Sequence, residues 1–254
     1  MRTQISHKTP AQLRFLDLYK LIVKTKYIYI MGSASGVGKS TICEYLLAQL
    51  LLDGFQPEQL AYIKPMTQCT DKQAVTVFCE RKGISHQGLG NLVFKKGFSK
   101  DFIDGLTKSS ALLMEDILAE IDRISENKDI VIVDGIGGPS TGSIVGVSNV
   151  DIALSLEAPV LFVGTAGIGA AIDDTILAVS FMQQQGIKNI ALIYNKLQPS
   201  ELINTKNYVS RRLSELLPNI PVLGVFANHM PLEAKTIQEP VTRISQWLNS
   251  QSLT

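Results

Sequence analysis

Two kinds of hydrophobic pattern alternate along this chain. Short unbroken apolar runs occur at residues 27–31, 60–63, 129–134, 159–163, 190–194 and 221–225, and between them apolar positions return every three to four residues. Unbroken runs, rather than an alternation of apolar and polar residues, mean strands covered on both faces. Strands of that kind alternating with amphipathic helices predict an α/β fold, a three-layer sandwich around a mostly parallel sheet of six to seven strands.

The helices follow from the same pattern. Ile42, Leu46, Leu47, Leu50 and Leu51 recur at helical spacing up to the stop at Asp53-Gly54. Further helices are predicted over residues 71–82, 108–127, 170–184, 201–217 and 239–250. Residues 83–105, rich in glycine and lysine with Phe94, Phe98 and Phe102 scattered through them, read as irregular surface structure. There is no fixed-period repeat and no linker, so residues 27–254 are expected to form one domain.

The first 26 residues are different. Arg2, Lys8, Arg14, Lys20, Lys24 and Lys26 face a single acid, Asp17, among apolar positions such as Leu13, Leu16, Leu18 and Leu21. A helical extension docked on the domain is the reading adopted, and an organelle transit segment is the alternative. The three cysteines, Cys43, Cys69 and Cys79, form no Cys-x-x-Cys pair, which suits free thiols in a reducing, cytoplasmic setting. A net charge of +1 gives no general attraction to nucleic acid or anionic membrane. The longest apolar candidate, residues 158–172, is glycine-rich and too short to span a bilayer.

The chemistry gathers after the strands, where parallel sheets place their ligands. The first strand leads into Gly32-Ser33-Ala34-Ser35-Gly36-Val37-Gly38-Lys39-Ser40-Thr41 at the start of a helix. Small residues leave backbone N–H groups free to point at phosphate, the helix dipole favours an anion, Lys39 adds a mobile charge and Ser40 can ligate Mg²⁺. The segment reads as a P-loop and the fold as P-loop NTPase-like. Ser33 stands at the first glycine position of the four-spacer pattern, with Gly32 one residue earlier.

After the second strand, Lys64 is fixed by Pro65 and can reach toward a transferred phosphoryl group. Asp71, at a predicted helix start, is either an N-cap or a Mg²⁺ ligand. Asp134 closes an apolar strand in the manner of a metal-binding acid, and Gly135, Gly137 and Gly138 leave room for a substrate. Gly169 begins a second helix after a glycine-rich stretch, either as an anion site or for close packing. Asp173 and Asp174 fall near the first turn of that helix, where they complement the dipole and disfavour an anionic ligand. After the fifth strand comes Asn195-Lys196-Leu197-Gln198; with Gln198 where a guanine-binding loop has Asp, adenine is favoured over guanine.

Together these motifs resemble the dethiobiotin synthetase family from Tyr27 to about Val225. That family also carries five residues between the first loop glycine and Gly-Lys-Ser/Thr, as Gly32 to Ser40 does here. Its Lys-Pro resembles Lys64-Pro65, its Val-Glu-Gly-x-Gly-Gly resembles Val133 to Gly138, and its adenine-contacting Asn matches Asn195. The resemblance implies a homodimeric, Mg²⁺-ATP-dependent ligase that carboxylates a diamine to a carbamate, phosphorylates it, and closes a cyclic urea. Carried over by position, Lys39 and Lys64 stabilise charge during phosphoryl transfer. Gly32, Ser35, Gly36, Val37, Gly38, Lys39, Ser40, Thr41 and Asn195 hold ATP, and Ser40, Asp71 and Asp134 hold Mg²⁺. Lys64, Gly135, Gly137, Gly138, Gly169 and Asp173 lie on the substrate side. The chain departs from the family at Gly36, where an acid is frequent, at Asp134, which is one methylene shorter than Glu, and at the acidic pair Asp173-Asp174. Two rival classes share such a loop. Amidating ligases of the cobyrinate type usually carry an attached glutamine-amidotransferase domain, and partner-binding regulatory ATPases usually carry a second lysine where Ser33 and Ala34 stand.

Overall fold

The computed structural model describes residues 27–68, 71–90, 92–228, 242–244, 246–247 and 250. The expected N-terminal extension, Cys69 and most of the closing helix lie outside the described residues. Seven parallel strands form the main sheet in the order β4-β2-β6-β1-β7-β8-β9. They are β1 (Tyr27–Gly32), β2 (Leu60–Ile63), β4 (Ser85–Gln87), β6 (Ile130–Asp134), β7 (Val160–Gly164), β8 (Ile190–Leu197) and β9 (Val222–Ala227). β1 is flanked by β6 and β7, and from it the chain winds first toward β2 and then, after β6, crosses to β7 and beyond. That reversal is the switch point at which doubly wound sheets bind ligands.

The period-2 alternation of side chains assigns each strand residue to one layer or the other. Ile28 and Ile30 pack with Leu46, Leu47 and Leu50 of α1 (Lys39–Leu52) and Val75 and Cys79 of α2 (Ala74–Lys82). Tyr29 and Met31 face the other layer. There they meet apolar residues of α4 (Ser110–Ser125), α5 (Asn149–Ser155), α6 (Gly169–Gln185) and α7 (Leu202–Leu216). Helix α4 is clearly amphipathic. Leu113, Ile117, Ile121 and Ile124 make its buried stripe, and the Ser109 hydroxyl accepts from the Leu112 N–H as the cap.

The expected six strands are present, with β4 as the seventh. Residues 83–105 depart from expectation. They hold β4, the two-residue β5 (Leu92–Val93), which pairs in parallel with β3 (Met66–Thr67), and the short helix α3 (Phe98–Ile103). The scattered phenylalanines explain the order: Phe94, Phe98 and Phe102 pack against the core, and Phe94 and Phe98 meet edge to face at 5.7 Å. Among the described residues no helix is long and apolar enough to cross a membrane.

Candidate functional site

At the carboxyl end of β1 the loop turns tightly into α1. Gly36 and Gly38 adopt φ of 80° and 94°, backbone that L side chains rarely take, and Gly38 caps α1. A Cβ on Gly38 would run into the Asn195 amide, so this glycine is required twice, by conformation and by space. Asn195, at the end of β8, is buried and its Nδ2 donates to the Val37 carbonyl at 3.1 Å. The residue expected to meet adenine therefore braces the loop from beneath.

Lys39 opens α1 with its stem buried, and its Nζ donates to the carbonyls of Ala34 at 3.0 Å and Gly137 at 3.2 Å. It thus ties the loop to the glycine turn after β6. Burial lowers its pKa below the ordinary lysine value, Asp134 partly restores it, and Lys64 pushes it down again.

Asp134 is the centre of the site and has no exposed surface. Its Oδ2 accepts from Tyr62 at 2.8 Å, from the Lys64 ammonium at 2.9 Å and from Ser40 at 2.6 Å. Its Oδ1 is buried with no hydrogen-bond partner. Burial and the adjacent carboxylate push the Tyr62 phenol well above its usual pKa, which keeps it a proton donor. Ser40 Oγ also lies 3.0 Å from Gln73 Oε1. A hydroxyl carries one proton, so Ser40 gives it to the charged carboxylate, and the Gln73 oxygen is left facing an oxygen.

The glycine turn after β6 is held by Asn149, which is fully buried at the start of α5. Its Nδ2 donates to the carbonyls of Ile136 and Gly138, both at 2.6 Å, and its Oδ1 accepts from the Tyr29 hydroxyl at 3.0 Å. Gly135 sits against this knot, where a Cβ would press on Asn149, the Ile30 carbonyl and the Tyr29 ring. These groups enclose a cleft of about 380 Å³ lined by Ser35, Gly36, Gly38, Lys39, Ser40, Thr41, Lys64, Thr67, Gln68, Gln73, Ile136, Gly137 and Lys196.

The structure thus brings together the loop, Lys64, Asp134 and Gly137. It does not place Asp71 among them: α2 starts at Ala74 with Gln73 as its cap, Asp71 is exposed, and Gln73 is the residue beside Ser40. Gly169 and Asp173 are exposed at the start of α6 and do not line this cleft. Asp173 lies four residues into the helix, past its first turn, because α6 begins at Gly169. Tyr62, Gln73, Asn149 and Lys196 were not singled out from the sequence. The capping pattern Ser148-x-x-Asp151 marks the start of α5 and is the one signal that could have pointed to Asn149.

A hard divalent cation takes oxygen ligands. Asp134 with its unpartnered Oδ1, Ser40 Oγ and Gln73 Oε1 gather oxygens with too few protons to satisfy them, which fits such an ion. Among the described residues no group of three or more His, Cys, Asp or Glu forms a metal cage.

A parallel doubly wound sheet, a glycine loop with Lys and Ser at the helix start, and a buried acid on the neighbouring strand define the P-loop nucleoside-triphosphatase class. The chain belongs to the family described as AAA domain, whose model matches residues 26–236. Within it the chain is dethiobiotin-synthetase-like. It is 25% identical to the ATP-dependent dethiobiotin synthetase of Clostridium perfringens over 72% of this chain and 83% of that protein. It is 24% identical to that of a Geobacillus species over 89% and 93%. A cobyric acid synthase of Clostridium botulinum matches at 25% identity over 88% of this chain but 52% of its own length. Among solved structures, a plasmid partition protein from Borrelia burgdorferi aligns with TM-score 0.54 and 19% identity over 90% of this chain and 99% of that one. The cell division protein MinD of Aquifex aeolicus aligns with TM-score 0.52 and 14% identity over 89% and 98%. These two share the fold.

Proposed function

We propose that the chain is a Mg²⁺-ATP-dependent ligase that phosphorylates an oxyanion acceptor, a carbamate formed from a diamine and CO₂ or bicarbonate, and closes a cyclic urea. The observation that carries this reading is the Lys64 ammonium. It is held 2.9 Å from Asp134 at the exit of β2, lines the cleft, and lies beside Ser40 at the start of α1.

The loop N–H groups and Lys39 hold the phosphate chain. Ser40, Asp134 and Gln73 are the residues that would hold Mg²⁺, which neutralises charge on the transferred phosphoryl group. Lys64 orients the acceptor oxygen and screens its negative charge as it attacks the γ-phosphorus. The bond from that phosphorus to the bridging oxygen breaks, and ADP leaves with the electron pair. The second amine then attacks the carbonyl carbon of the mixed anhydride, inorganic phosphate departs with its electron pair, and the nitrogen loses a proton. Asn149 serves this chemistry by holding the glycine turn open beside Lys39. Gly36 and Gly38 let the backbone come close to phosphate.

The homodimer and the cytoplasmic setting implied by the resemblance belong to the same proposal. The experiment is incubation of the protein with ATP, Mg²⁺, labelled bicarbonate and diaminononanoate, following ADP release and label in a cyclic urea. Release of ADP that depends on the diamine, absent in Lys64→Ala, supports the reading. Nucleotide binding without diamine-dependent turnover overturns the substrate, and failure to bind ATP overturns the whole.

A further inference from the structure

We infer that Tyr62 is a positioning residue: its phenol is the lasting anchor of Asp134, holding that carboxylate for the divalent ion when Lys64 and Ser40 give up their own bonds to it. The role rests on the ion and acceptor sites proposed above, and it adds to them a side chain that touches neither ligand.

Three donors converge on one oxygen. Asp134 Oδ2 accepts from Ser40 at 2.6 Å, from Tyr62 at 2.8 Å and from Lys64 at 2.9 Å. They differ in where they stand. Ser40 and Lys64 line the cleft, whereas Tyr62 and Asp134 do not, and both of these are fully buried. The two cleft-side donors thus stand between the carboxylate and anything that enters. In the proposed reaction each has another partner: the Ser40 oxygen turns to the ion, and the Lys64 ammonium turns to the acceptor. Tyr62 has no such alternative.

The strand explains why the phenol stays. Tyr62 and Lys64 are two residues apart, so they project to the same face of the sheet. β2 runs parallel to β6 with Tyr62 opposite Ile132 and Ile63 opposite Val133, which sets Lys64 level with Asp134 and Tyr62 one pleat deeper. There its ring packs in the apolar layer under α1 and α2. A lysine ammonium rides on a flexible four-carbon stem and can swing away, but a phenol on a packed ring cannot.

The donors are also unevenly shared. A carboxylate offers about four lone-pair positions over its two oxygens. Here Oδ2 takes all three donors and Oδ1 takes none. Oδ2 can therefore lose two donors and remain bonded, provided the third stays. Side chains that bond to a metal ligand fix its orientation, and their loss costs about 10–100-fold in metal affinity.

The test is calorimetric binding of ATP to the full chain, in EDTA and in saturating Mg²⁺, for wild type, Tyr62→Phe and Tyr194→Phe. Phenylalanine keeps the ring and removes the donor. Tyr194 is the control, because its hydroxyl is also buried but meets Thr175, at 2.6 Å. Both variants are expected to lower the melting temperature. In Tyr62→Phe alone, affinity in EDTA should be unchanged while the factor by which Mg²⁺ tightens ATP binding falls about tenfold, and Mn²⁺ titrated in the presence of ADP should weaken equally. Added to Asp134→Asn, Tyr62→Phe should lower that factor no further. An unchanged factor in Tyr62→Phe, an equal fall in Tyr194→Phe, or a further fall in the double variant overturns the role. So does an equal loss in EDTA, which would mean that the phenol acts on the phosphate loop rather than on the ion. If Mg²⁺ does not tighten ATP binding to wild type, the ion site fails and this role with it; if it does and Tyr62→Phe matches wild type, this role alone fails.

Discussion

Replacing Lys64 by methionine takes away the ammonium that neutralises a carboxylate with no exposed surface. Both partners are buried: Lys64 is 6% exposed and Asp134 0%, with 2.9 Å between Nζ and Oδ2. Breaking a buried ion pair from one side costs roughly 3–5 kcal/mol, because the remaining charge is left uncompensated. Tyr62 and Ser40 still donate to Oδ2, so the lower end applies, about 3 kcal/mol. At roughly 2–4 °C per kcal/mol for a chain of this size, the melting midpoint falls by about 6–12 °C. Urea unfolding followed by circular dichroism measures the loss. The decisive comparison is the double variant Lys64→Met/Asp134→Asn. A neutral pair in the same volume has no stranded charge, so it is expected to be more stable than either single variant, with a coupling of about 2 kcal/mol. A Lys64→Met variant within about 0.5 kcal/mol of wild type, or strictly additive effects in the double variant, would refute the buried-pair argument.

Lys39→Met is expected to lower ATP affinity about a hundredfold with the fold retained, read by calorimetry and circular dichroism. Lys39 also gives a pH signature. Its folded pKa lies below the unfolded value of 10.5, so between the two the unfolded chain binds more protons and stability rises with pH. Burial pushes the Cys43 and Cys79 thiols up, which lowers stability over the same range, so the Lys39 contribution is read as a difference: from pH 7 to pH 10 the urea midpoint of wild type should shift upward relative to that of Lys39→Met. Gly38→Ala meets Asn195 at φ of 94° and should destabilise by more than about 2 kcal/mol. Gly36→Ala, at φ of 80° but in open space, should cost only about 1–2 kcal/mol; equal thermal shifts would contradict the steric account. Asn149→Ala strips two carbonyls and the Tyr29 hydroxyl of a buried partner, for an expected loss of about 3 kcal/mol and a weakened acceptor KM.

What could be read from the sequence, and what could not, divides along physical lines. Six of the seven strands show as apolar runs because their side chains are largely buried against the helical layers. β4 is Ser85-His86-Gln87, whose polar, half-buried residues leave no hydrophobic signature. The phosphate loop is legible because local geometry dictates its residues: glycine where φ is positive, lysine and serine at a helix start. The residues around Asp134 obey no such local rule. Tyr62 sits in an apolar run and reads as core, although its hydroxyl ends on a carboxylate 72 positions away. Gln73 carries no charge and sits in no motif that marks it as a ligand, whereas Asp71 is a carboxylate at the expected helix start. The helix begins at Ala74, three residues later than expected, and Gln73, the neutral residue before it, is the one that reaches Ser40. The consequence is chemical as well as topological. With one acid matched by Lys64, and an amide where a second acid was expected, the site has little negative charge of its own. A divalent ion should therefore arrive with the phosphates rather than before them.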